Sequence, residues 1–222
     1  MERIETPESL HEQDWQKNKP DDSKLEDTGR FHTLIGLIRK HDPSTVFDIG
    51  CGSGVLGRKI KAWKSEVVLH GCDISETALK RAMACFEKTW KTDLDSENIP
   101  AESGQYDVVV CSEVFEHIYD LNHLLKEVNR LLKPVGVGLL TVPNVCYWRY
   151  RWDILLGRLP IPMDDDRHIH QFTREHFGKK LHKAGLTTQA VTGCRVRLPW
   201  LATWKPTVFS DTLVFEVKKA RT

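Results

Sequence analysis

Long apolar segments are absent from the sequence. Nowhere do about 18 apolar residues run together, so no membrane-spanning helix is predicted. The first residues, Met-Glu-Arg-Ile-Glu-Thr, contain no apolar run of the kind that forms the core of a secretory signal peptide. Both absences favour a soluble, cytoplasmic protein.

Paired cysteines and an excess of one charge are also lacking. The six cysteines are scattered, none forms a Cys-x-x-Cys pair, and several lie inside apolar runs. This pattern favours buried, reduced side chains. Lysine and arginine together number 32 against 31 aspartates and glutamates, which gives a formal net charge of +1. A broad electrostatic platform for nucleic acid is therefore not supported.

The length fits one α/β domain preceded by a polar arm. A chain of 222 residues can bury one full core but leaves little room for a second domain. Residues 1–29 are polar and charged, and prolines interrupt any periodic pattern there. We expect a solvated arm, or an arm that folds over a pocket with Trp15 as its anchor. Residues 30–222 are then the folded domain.

A glycine-rich stretch at residues 44–54, Ser-Thr-Val-Phe-Asp-Ile-Gly-Cys-Gly-Ser-Gly, organises the rest of the chain. An apolar run followed by Gly50, Gly52 and Gly54 predicts a buried strand, a tight turn and a helix start. Glycine lets a ligand lie against bare main chain, and the helix start offers unpaired N–H groups. The glycine spacing matches neither a phosphate loop nor the dinucleotide fingerprint. Asp48 would repel a pyrophosphate and suits a cation.

Strand and helix patterns alternate along the chain. Strands are predicted over residues 46–49, 67–73, 90–94, 106–112, 135–142 and 186–191. Helices are predicted over residues 31–40, 55–63, 76–86, 118–132 and 173–184. Such alternation implies right-handed crossovers and a parallel, doubly wound sheet. Ligands of these sheets lie at the carboxyl ends of the strands, so Asp73 should sit beside the glycine loop. There its carboxylate can accept hydrogen bonds from two ribose hydroxyls, while Ser75 caps the next helix.

The order of these motifs resembles class I S-adenosylmethionine-dependent methyltransferases over roughly residues 30 to 195. The motifs are the Asp48 glycine loop, Asp73, Asp93-Leu94, Tyr106-Asp107, and Leu132-Lys133-Pro134 before a strand ending in Val142-Pro143-Asn144. Val135 departs from the Leu-Lys-Pro-Gly-Gly common in that family. The resemblance implies a Rossmann-like α/β fold: a seven-stranded, mostly parallel sheet with helices on both faces. It also implies a small cap insertion, residues 144–172, after the fifth strand, and a final antiparallel strand at residues 212–217.

The same resemblance implies that S-adenosylmethionine lies along the glycine loop. Its sulfonium and ammonium groups suit Asp48, and its ribose suits Asp73. Asp93 and Leu94 would contact the adenine, although turn capping by Asp93 is a competing interpretation. The expected cofactor contacts are Asp48, Gly50, Cys51, Gly52, Gly54, Asp73, Ile74, Asp93, Leu94, Cys111 and Glu113.

Two carboxylates and an imidazole follow the fourth predicted strand. If this segment is helical, Glu113, Glu116 and His117 share one face. They can position and deprotonate a hydroxyl, with His117 as the base, because an imidazole titrates near neutral pH. They can instead bind a divalent cation that acidifies a coordinated hydroxyl. A purely structural role is the third interpretation. The expected catalytic residues are Glu116, His117 and His168.

This Glu-x-x-Glu-His string is similar to one in two branches of the family, the ubiquinone-pathway O-methyltransferases and the small-RNA 3′-end 2′-O-methyltransferases. In both branches such residues take part in metal binding, together with a histidine that precedes a phenylalanine. Here His168 and His170 precede Phe172. Similar strings also occur in members for which no metal need be invoked. The implied ligands of Mg²⁺ or Mn²⁺ are Glu113, Glu116, His117 and His170.

Two apolar segments outside the alternation have several interpretations. Residues 144–163 mix tryptophan, tyrosine and leucine with three arginines, which fits a substrate cap or a core helix with surface arginines. Their Pro-Asn-x-x-x-Trp-x-x-Arg pattern also resembles the methionine-biosynthesis W protein, a methyltransferase-like partner of an acyltransferase. The loop with Trp200 and Trp204 could wall the acceptor pocket, contact a partner protein or touch a membrane surface.

The expected function is methyl transfer from S-adenosylmethionine to an oxygen of a small molecule with aromatic, sugar or lipid character. Two alternatives stay open at the level of sequence. One is RNA 3′-end 2′-O-methylation with a divalent metal, against which the balanced charge argues. The other is a non-catalytic, methyltransferase-like subunit of a larger complex.

Overall fold

A seven-stranded sheet forms the centre of the protein in the computed structural model, which describes residue 12 and residues 29–194 and 199–220. The strands are β1 (Thr45–Ile49), β2 (Val68–Asp73), β3 (Lys88–Lys91), β4 (Tyr106–Ser112), β5 (Leu132–Pro143), β6 (Leu186–Cys194) and β7 (Thr212–Lys219). They lie in the order β3-β2-β1-β4-β5-β7-β6.

The described helices connect the strands and supply the layers around them. They are α1 (Gly29–His41), α2 (Val55–Trp63), α3 (Glu76–Ala82), α4 (Leu121–Leu131), α5 (Trp148–Leu155), α6 (Ile161–Asp164), α7 (Arg174–Lys183), α8 (Pro199–Trp204) and α9 (Pro206–Phe209). A single 3₁₀ turn, Phe115–His117, follows β4. None of the helices described here is long and apolar enough to cross a membrane.

Strand direction follows the sequence prediction. Strands β1 to β5 pair in parallel, while β7 lies antiparallel between β5 and β6. In the centre of the sheet Asp48 is level with Gly71 on β2 and Val110 on β4. The carboxyl ends of β1, β2 and β4 therefore meet at one edge, where ligands of such sheets bind. The predicted Rossmann-like fold is confirmed.

Apolar side chains cover both faces of the sheet. On one face α1, α2 and α3 contribute a cluster that includes Leu34, Ile38 and Ile60. On the other face α4 and α7 pack against the sheet, with Phe115 and Phe177 in the same cluster. Continuous apolar strands such as β4 are predicted to be covered on both sides, and they are.

The predicted boundary between the helix at 118–132 and the strand at 135–142 is wrong. Helix α4 begins only at Leu121, after an N-cap by Asp120, whose side chain accepts bonds from the backbone N–H groups of Asn122 and His123. Strand β5 already begins at Leu132. Pro134 explains the early change, because the residue before a proline is pushed out of the helical region into extended backbone.

Three other predicted elements are shorter than expected or displaced. Helix α3 ends at Ala82 instead of residue 86, because Phe86 is buried against the sheet, where Gly57 and Gly71 leave room for its ring. Strand β3 therefore lies over Lys88–Lys91, and the loop that follows carries Asp93. The condition that residues 113–117 are helical is not met either, because Phe115–His117 is a 3₁₀ turn and Glu113 precedes it in a left-handed conformation (φ 56°).

Some sequence predictions are confirmed in detail, and others fall outside the described residues. Thr173 caps the N-terminus of α7, and Gly185 follows its C-terminus with a φ of 73°. The arm at residues 1–29 lies outside the described part of the chain except at its end and at Glu12, and Trp15 with it. The core-helix interpretation of residues 144–163 is wrong, since α5 buries none of its residues.

Candidate active site

The glycine loop turns tightly after β1 and holds its backbone against β2. The N–H groups of Gly50 and Cys51 both donate to the carbonyl oxygen of Cys72, at 2.8 and 3.0 Å. Gly50 has a φ of 71°, and a Cβ built there would lie 2.4 Å from Cγ2 of Val114. Glycine is thus required at position 50 both for its conformation and for the close approach of Val114.

The carboxylate of Asp73, at the end of β2, bridges this loop to the next helix. Its Oδ2 accepts a hydrogen bond of 2.9 Å from the N–H of Gly52, and its Oδ1 accepts one of 2.9 Å from the N–H of Ser75. A carboxylate has about four lone-pair positions, so these bonds are compatible with ribose hydroxyls as further donors. As predicted, Ser75 itself caps α3, accepting from the N–H of Ala78.

Two cavities lie on either side of the loop and share Gly50 and Gly52. The larger has a volume of about 210 Å³ and is lined by Asp73, Ile74, Asp93, Leu94, Glu113 and His117, among others. The smaller has a volume of about 130 Å³ and is lined by Arg30, Asp48, Cys51 and Ser112, among others. The loop backbone therefore separates a compartment rich in hydrogen-bond acceptors from one that pairs a carboxylate with a guanidinium.

Most of the predicted cofactor contacts line these cavities. Asp93 does so while its carboxylate also accepts from the N–H of Asp95 and from the Oγ of Ser96, so the predicted turn capping occurs alongside. Gly54 begins α2 with a φ of 81° and does not line either cavity. Cys111 is fully buried in β4 beneath the loop, and burial raises the pKa of its thiol well above its ordinary value. Its side chain therefore lines neither cavity.

Asp48 is a buried carboxyl group at the base of the smaller cavity, with 4% of its surface exposed. Burial, with the nearby Asp73 carboxylate adding to it, raises the pKa of Asp48 to about 8. A cation that enters this cavity would favour the charged form of the carboxyl group and lower that pKa again. Asp48 is therefore suited to an ammonium or sulfonium group, as its sequence position predicts.

Arg30 is a site residue that sequence reasoning missed. Its side chain is 13% exposed, and one terminal nitrogen lies 3.3 Å from Oε2 of Glu113. The buried Nε has no hydrogen-bond partner within the described residues. Glu113 in turn accepts from the Oγ1 of Thr141 at 2.9 Å. A lone arginine at the start of a helix, far from every motif, gives no signal in the sequence.

Three side chains come together beside the larger cavity, at the carboxyl end of β4. One ligand-type atom from each of Glu116, His117 and His168 lies within 4.8 Å of the other two. The backbone holds them there, since the carbonyl oxygen of Glu116 accepts from the N–H groups of Ile169 and His170 at 2.8 and 3.2 Å. These bonds attach residues 169 and 170, in the insertion that follows β5, to the 3₁₀ turn.

The ring orientations of the two histidines follow from their hydrogen bonds. Nδ1 of His117 lies 3.1 Å from the carbonyl oxygen of Arg167, and Nδ1 of His168 lies 2.9 Å from that of Pro162. Because a carbonyl oxygen only accepts, each Nδ1 carries the proton in the neutral ring and each Nε2 carries the lone pair. Nε2 of His117 lies 4.0 Å from Oε1 of Glu116.

Glu116 is almost fully buried, with 1% of its surface exposed. Burial, with the neighbouring Glu113 carboxylate adding to it, raises the pKa of Glu116 well above its ordinary value. Its Oε2 has no hydrogen-bond partner among the described residues. A buried carboxyl oxygen without a partner is costly, and an incoming cation or donor would remove that cost.

The structure does not bring all of the predicted metal ligands together. Glu113 points to Arg30 and Thr141, and His170 is absent from the three-residue cluster, which contains His168 instead. Glu113 has a left-handed backbone (φ 56°), so residues 113–117 do not form the helix on which the shared face depended. Among the described residues, Nε2 of His170 is buried without a partner.

Glu12 is the single described residue of the first part of the arm. Its carboxylate accepts hydrogen bonds from the hydroxyls of Ser75 and Thr77, the former at 2.7 Å. Glu12 therefore contacts the start of α3, two residues along the chain from Asp73. That the arm folds over the pocket stays a prediction.

The residues of the two cavities fit S-adenosylmethionine. The larger cavity offers acceptors for ribose and adenine, and the smaller offers Asp48 for an ammonium group and Arg30 for a carboxylate. The Nε of Arg30, buried and unpartnered within the described chain, is the observation that an anionic group best explains.

Comparison with known sequences gives the same assignment. A family described as a methyltransferase domain matches residues 26–191. The chain is 28% identical over 192 residues to a ubiquinone biosynthesis O-methyltransferase of Acinetobacter baylyi, covering 79% of this chain and 77% of the relative. A ubiquinone biosynthesis O-methyltransferase of Leptothrix cholodnii is 31% identical over 121 residues, covering 52% of this chain and 51% of the relative.

Solved structures share the fold at low sequence identity. A chain from the complex between the Haloferax volcanii Trm112 methyltransferase activator and a methyltransferase superposes with a TM-score of 0.67 at 19% identity, covering 95% of this chain and 98% of that one. A SAM-dependent methyltransferase from Archaeoglobus fulgidus gives a TM-score of 0.64 at 17% identity, covering 92% and 97%. Since the family match spans most of the domain and the fold agrees, the chain belongs to the class I S-adenosylmethionine-dependent methyltransferases.

Proposed function

We propose that the protein transfers the methyl group of S-adenosylmethionine to a hydroxyl oxygen of a small molecule. The observation that carries this proposal is the position of His117, which lines the cavity of Asp73 and Asp93 and also belongs to the cluster with Glu116 and His168. A proton acceptor thus lies beside the compartment expected to hold the methyl donor. The names of the curated relatives support oxygen as the acceptor atom.

Methyl transfer requires the acceptor oxygen and the methyl group to be aligned, and it needs no covalent intermediate with the protein. When bound, S-adenosylmethionine supplies a methyl group that is already electrophilic. The glycine loop and Asp73 would fix its ribose, and Asp48 and Arg30 would fix the amino-acid end. His117 Nε2 would take the proton from the acceptor hydroxyl, and the Arg167 carbonyl oxygen would stabilise the resulting imidazolium through Nδ1. Alignment of this kind can contribute about 7 to 11 kcal/mol to the lowering of a barrier.

A phenolic hydroxyl fits this arrangement better than an aliphatic one. A phenol has a pKa of about 10, close enough to that of an imidazole for general-base transfer to be effective. Relatives that act in ubiquinone biosynthesis support an aromatic acceptor as well. The proposed substrate class is therefore hydroxylated aromatic small molecules.

A divalent cation, Mg²⁺ or Mn²⁺, is the alternative form of the proposal, in which Nε2 of His117 binds the cation and therefore does not take the proton. Both cluster histidines donate Nδ1–H to a backbone carbonyl oxygen, as metal-ligating histidines commonly do, which leaves the lone pair of each ring on Nε2. Glu116 adds a buried oxygen without a partner in the described chain. The proposed ligands are Glu116, His117 and His168. When bound there, a cation would lower the pKa of a coordinated acceptor hydroxyl.

Other acceptors and partners have less support. RNA would require a basic surface, whereas the net charge is +1. One structural neighbour is described as a complex with an activator, which makes a protein partner a reasonable second search. A non-catalytic role would leave the position of His117 beside the cofactor cavity unexplained.

The test is a transfer assay with labelled S-adenosylmethionine and a panel of phenols, run with EDTA and with added Mg²⁺ or Mn²⁺. The proposal predicts label in the phenol fraction, loss of transfer in His117→Ala and unchanged cofactor binding in that variant. His182→Ala, an exposed change on α7, is the matched control. Transfer that survives EDTA would exclude the cation and leave His117 as the base, whereas transfer that is lost with EDTA and restored by Mg²⁺ or Mn²⁺ would favour the cation. Transfer that survives His117→Ala would contradict both forms of the proposal.

A further inference from the structure

An unusually apolar surface lies on the insertion that follows β5. Half of the residues from the start of α5 to the start of α6 are large apolar side chains with exposed fractions between 49% and 81%; they are Trp148, Trp152, Ile154, Leu155, Leu156, Leu159 and Ile161. We call residues 148–161 the α5–α6 surface. Helix α5 buries none of its residues against the domain. Contiguous apolar patches of this kind on a soluble protein mark an interaction site.

Basic side chains are interleaved with the apolar ones. Arg149, Arg151 and Arg158 are exposed, against one acidic residue, Asp153, in the same segment. The Nε of Arg151 donates to the carbonyl oxygen of Cys146 at 2.7 Å, which holds that side chain along the helix. Tryptophan and leucine with interspersed arginine is the composition of segments that lie in the interface of an anionic lipid bilayer.

We propose that the α5–α6 surface docks on an anionic membrane surface and holds the protein there as a peripheral protein. A bilayer interface takes up tryptophan rings and aliphatic side chains together and attracts arginines to its lipid headgroups. A protein partner would need a matching apolar groove lined by acids, for which nothing in the structure argues. Asp164 and Asp166, exposed at the far end of α6, limit the contact to residues 148–161.

The α5–α6 surface lies next in the chain to a residue that orients the cluster of Glu116, His117 and His168, so membrane docking would place this cluster near the bilayer. Ile161, 81% exposed, precedes Pro162, whose carbonyl oxygen accepts from Nδ1 of His168 at 2.9 Å and from Nε2 of Gln171 at 3.0 Å. The membrane contact is therefore one residue away from the hydrogen bond that orients a histidine of the cluster. Resting on the proposed function, this implies an acceptor with an apolar tail that stays in the bilayer while its hydroxyl reaches His117.

The experiment is flotation of the full chain with vesicles, in the absence of cofactor and acceptor. Phosphatidylcholine vesicles are compared with vesicles that also contain phosphatidylglycerol. The variants are Trp152→Ser/Leu155→Ser/Ile161→Ser and Arg149→Gln/Arg158→Gln. The matched controls are Met83→Ser/Tyr119→Ser/Val135→Ser, at exposed apolar positions elsewhere, and Lys126→Gln/Lys179→Gln, at exposed basic positions elsewhere.

We expect the wild-type chain to float with anionic vesicles and much less with neutral ones. The arginine variant should lose roughly tenfold or more in partitioning at low salt, because each basic residue near the surface contributes separately. The apolar variant should remain in the soluble fraction, and both controls should float like the wild type. In a second measurement, lipids with brominated acyl chains should quench tryptophan fluorescence in the wild type, and less in Trp148→Phe/Trp152→Phe.

Soluble wild-type protein at both lipid compositions would overturn the proposal, as would an apolar variant that floats normally. A third outcome would also overturn it: the wild type is a dimer in solution, the apolar variant is a monomer, and neither binds vesicles. The α5–α6 surface would then be an interface between two copies of the chain. Because flotation needs no turnover, its failure is distinct from a failure of methyl transfer to soluble phenols. Unchanged binding of S-adenosylhomocysteine shows that a variant is folded.

Discussion

The N–H of Gly52 donates a hydrogen bond of 2.9 Å to Oδ2 of Asp73, which joins the glycine loop to the end of β2. The other oxygen of the same carboxylate accepts from Ser75, so one side chain fixes both walls of the larger cavity. An amide at position 73 has a single acceptor oxygen and can keep only one of these bonds. Cofactor binding is therefore expected to depend strongly on the carboxylate.

Asp73→Asn is predicted to weaken binding of S-adenosylhomocysteine by roughly ten- to hundredfold. Hydrogen bonds to a charged group contribute about 1.5 to 3 kcal/mol, and the change removes acceptors from both the loop and the ribose. Isothermal titration calorimetry measures the affinity. Asp42→Asn is the matched control, since Asp42 pairs with Lys64 on an exposed surface. Equal affinity of the Asp73 variant and the wild type would remove Asp73 from the site.

Binding of the cofactor is predicted to become tighter as pH rises towards 8. Asp48 has a raised pKa of about 8 in the protein without ligand, because it is buried and near Asp73. Below that pH the cationic end of the cofactor must displace a proton, so affinity should fall by roughly tenfold per pH unit. Calorimetry in buffers of different ionisation enthalpy measures the released proton. Asp48→Asn should bind weakly at every pH without this slope, and a wild type without it would contradict the assignment.

The same raised pKa predicts the direction of a stability change in the ligand-free protein. The folded state holds the proton of Asp48 more tightly than the unfolded chain does, so this contribution is complete below about pH 4 and lost as pH rises through about 8. The melting temperature of Asp48→Asn should therefore exceed that of the wild type more at pH 9 than at pH 5. A constant difference between the two proteins over this range would show that Asp48 has an ordinary pKa.

Gly50→Ala is predicted to destabilise the fold. A residue with a Cβ pays about 1 to 2 kcal/mol in the left-handed region, and at φ 71° the new methyl would also overlap Val114. The melting temperature should fall by at least about 2 °C. Gly36→Ala is the control, because nothing lies within 4 Å of the added Cβ in α1 and alanine favours helix by about 0.5 to 1 kcal/mol. An equal effect at both positions would contradict the close approach.

Arg30→Gln is predicted to weaken binding of S-adenosylhomocysteine while leaving adenosine binding unchanged. The guanidinium lines the smaller cavity, where only the amino-acid end of the ligand is expected. Competition between the two ligands gives the affinity of the variant and of the wild type for each of them. Arg39→Gln, on the same helix over the ring of Trp63, is the matched control. An equal loss of affinity for both ligands would show that Arg30 does not contact the amino-acid end of the cofactor in the smaller cavity.

Much of the fold could be predicted because the central strands β1, β4 and β5 are largely apolar and buried, and because helical patterns alternate with them. Asp48 and Asp73 could be placed for that reason, since parallel strands bring their carboxyl ends to one edge. The ends of helices and strands were harder to predict from the sequence. The displacement of β3 depends on Phe86 packing over Gly57 and Gly71, a contact between distant positions that local pattern does not contain.

The site was harder to predict than the fold. The predicted face of Glu113, Glu116 and His117 assumed a helix, and a left-handed residue replaced it. His168 is expected beside Glu116 and His117 from the sequence, but the bonds from Ile169 and His170 to the carbonyl oxygen of Glu116, which hold it there, are not indicated by any spacing. Arg30 gives no sequence signal, since its position in the smaller cavity and its ion pair with Glu113 exist only in the folded chain.

Methyl transfer to oxygen is tested most directly by carbon-13 NMR of the product formed from a phenol and cofactor labelled in its methyl group. We predict the signal of a methoxy carbon in the product of the wild type and of the His182→Ala control, and no such signal with His117→Ala. A label found on nitrogen or carbon of the acceptor, or the same methoxy product from His117→Ala, would contradict it.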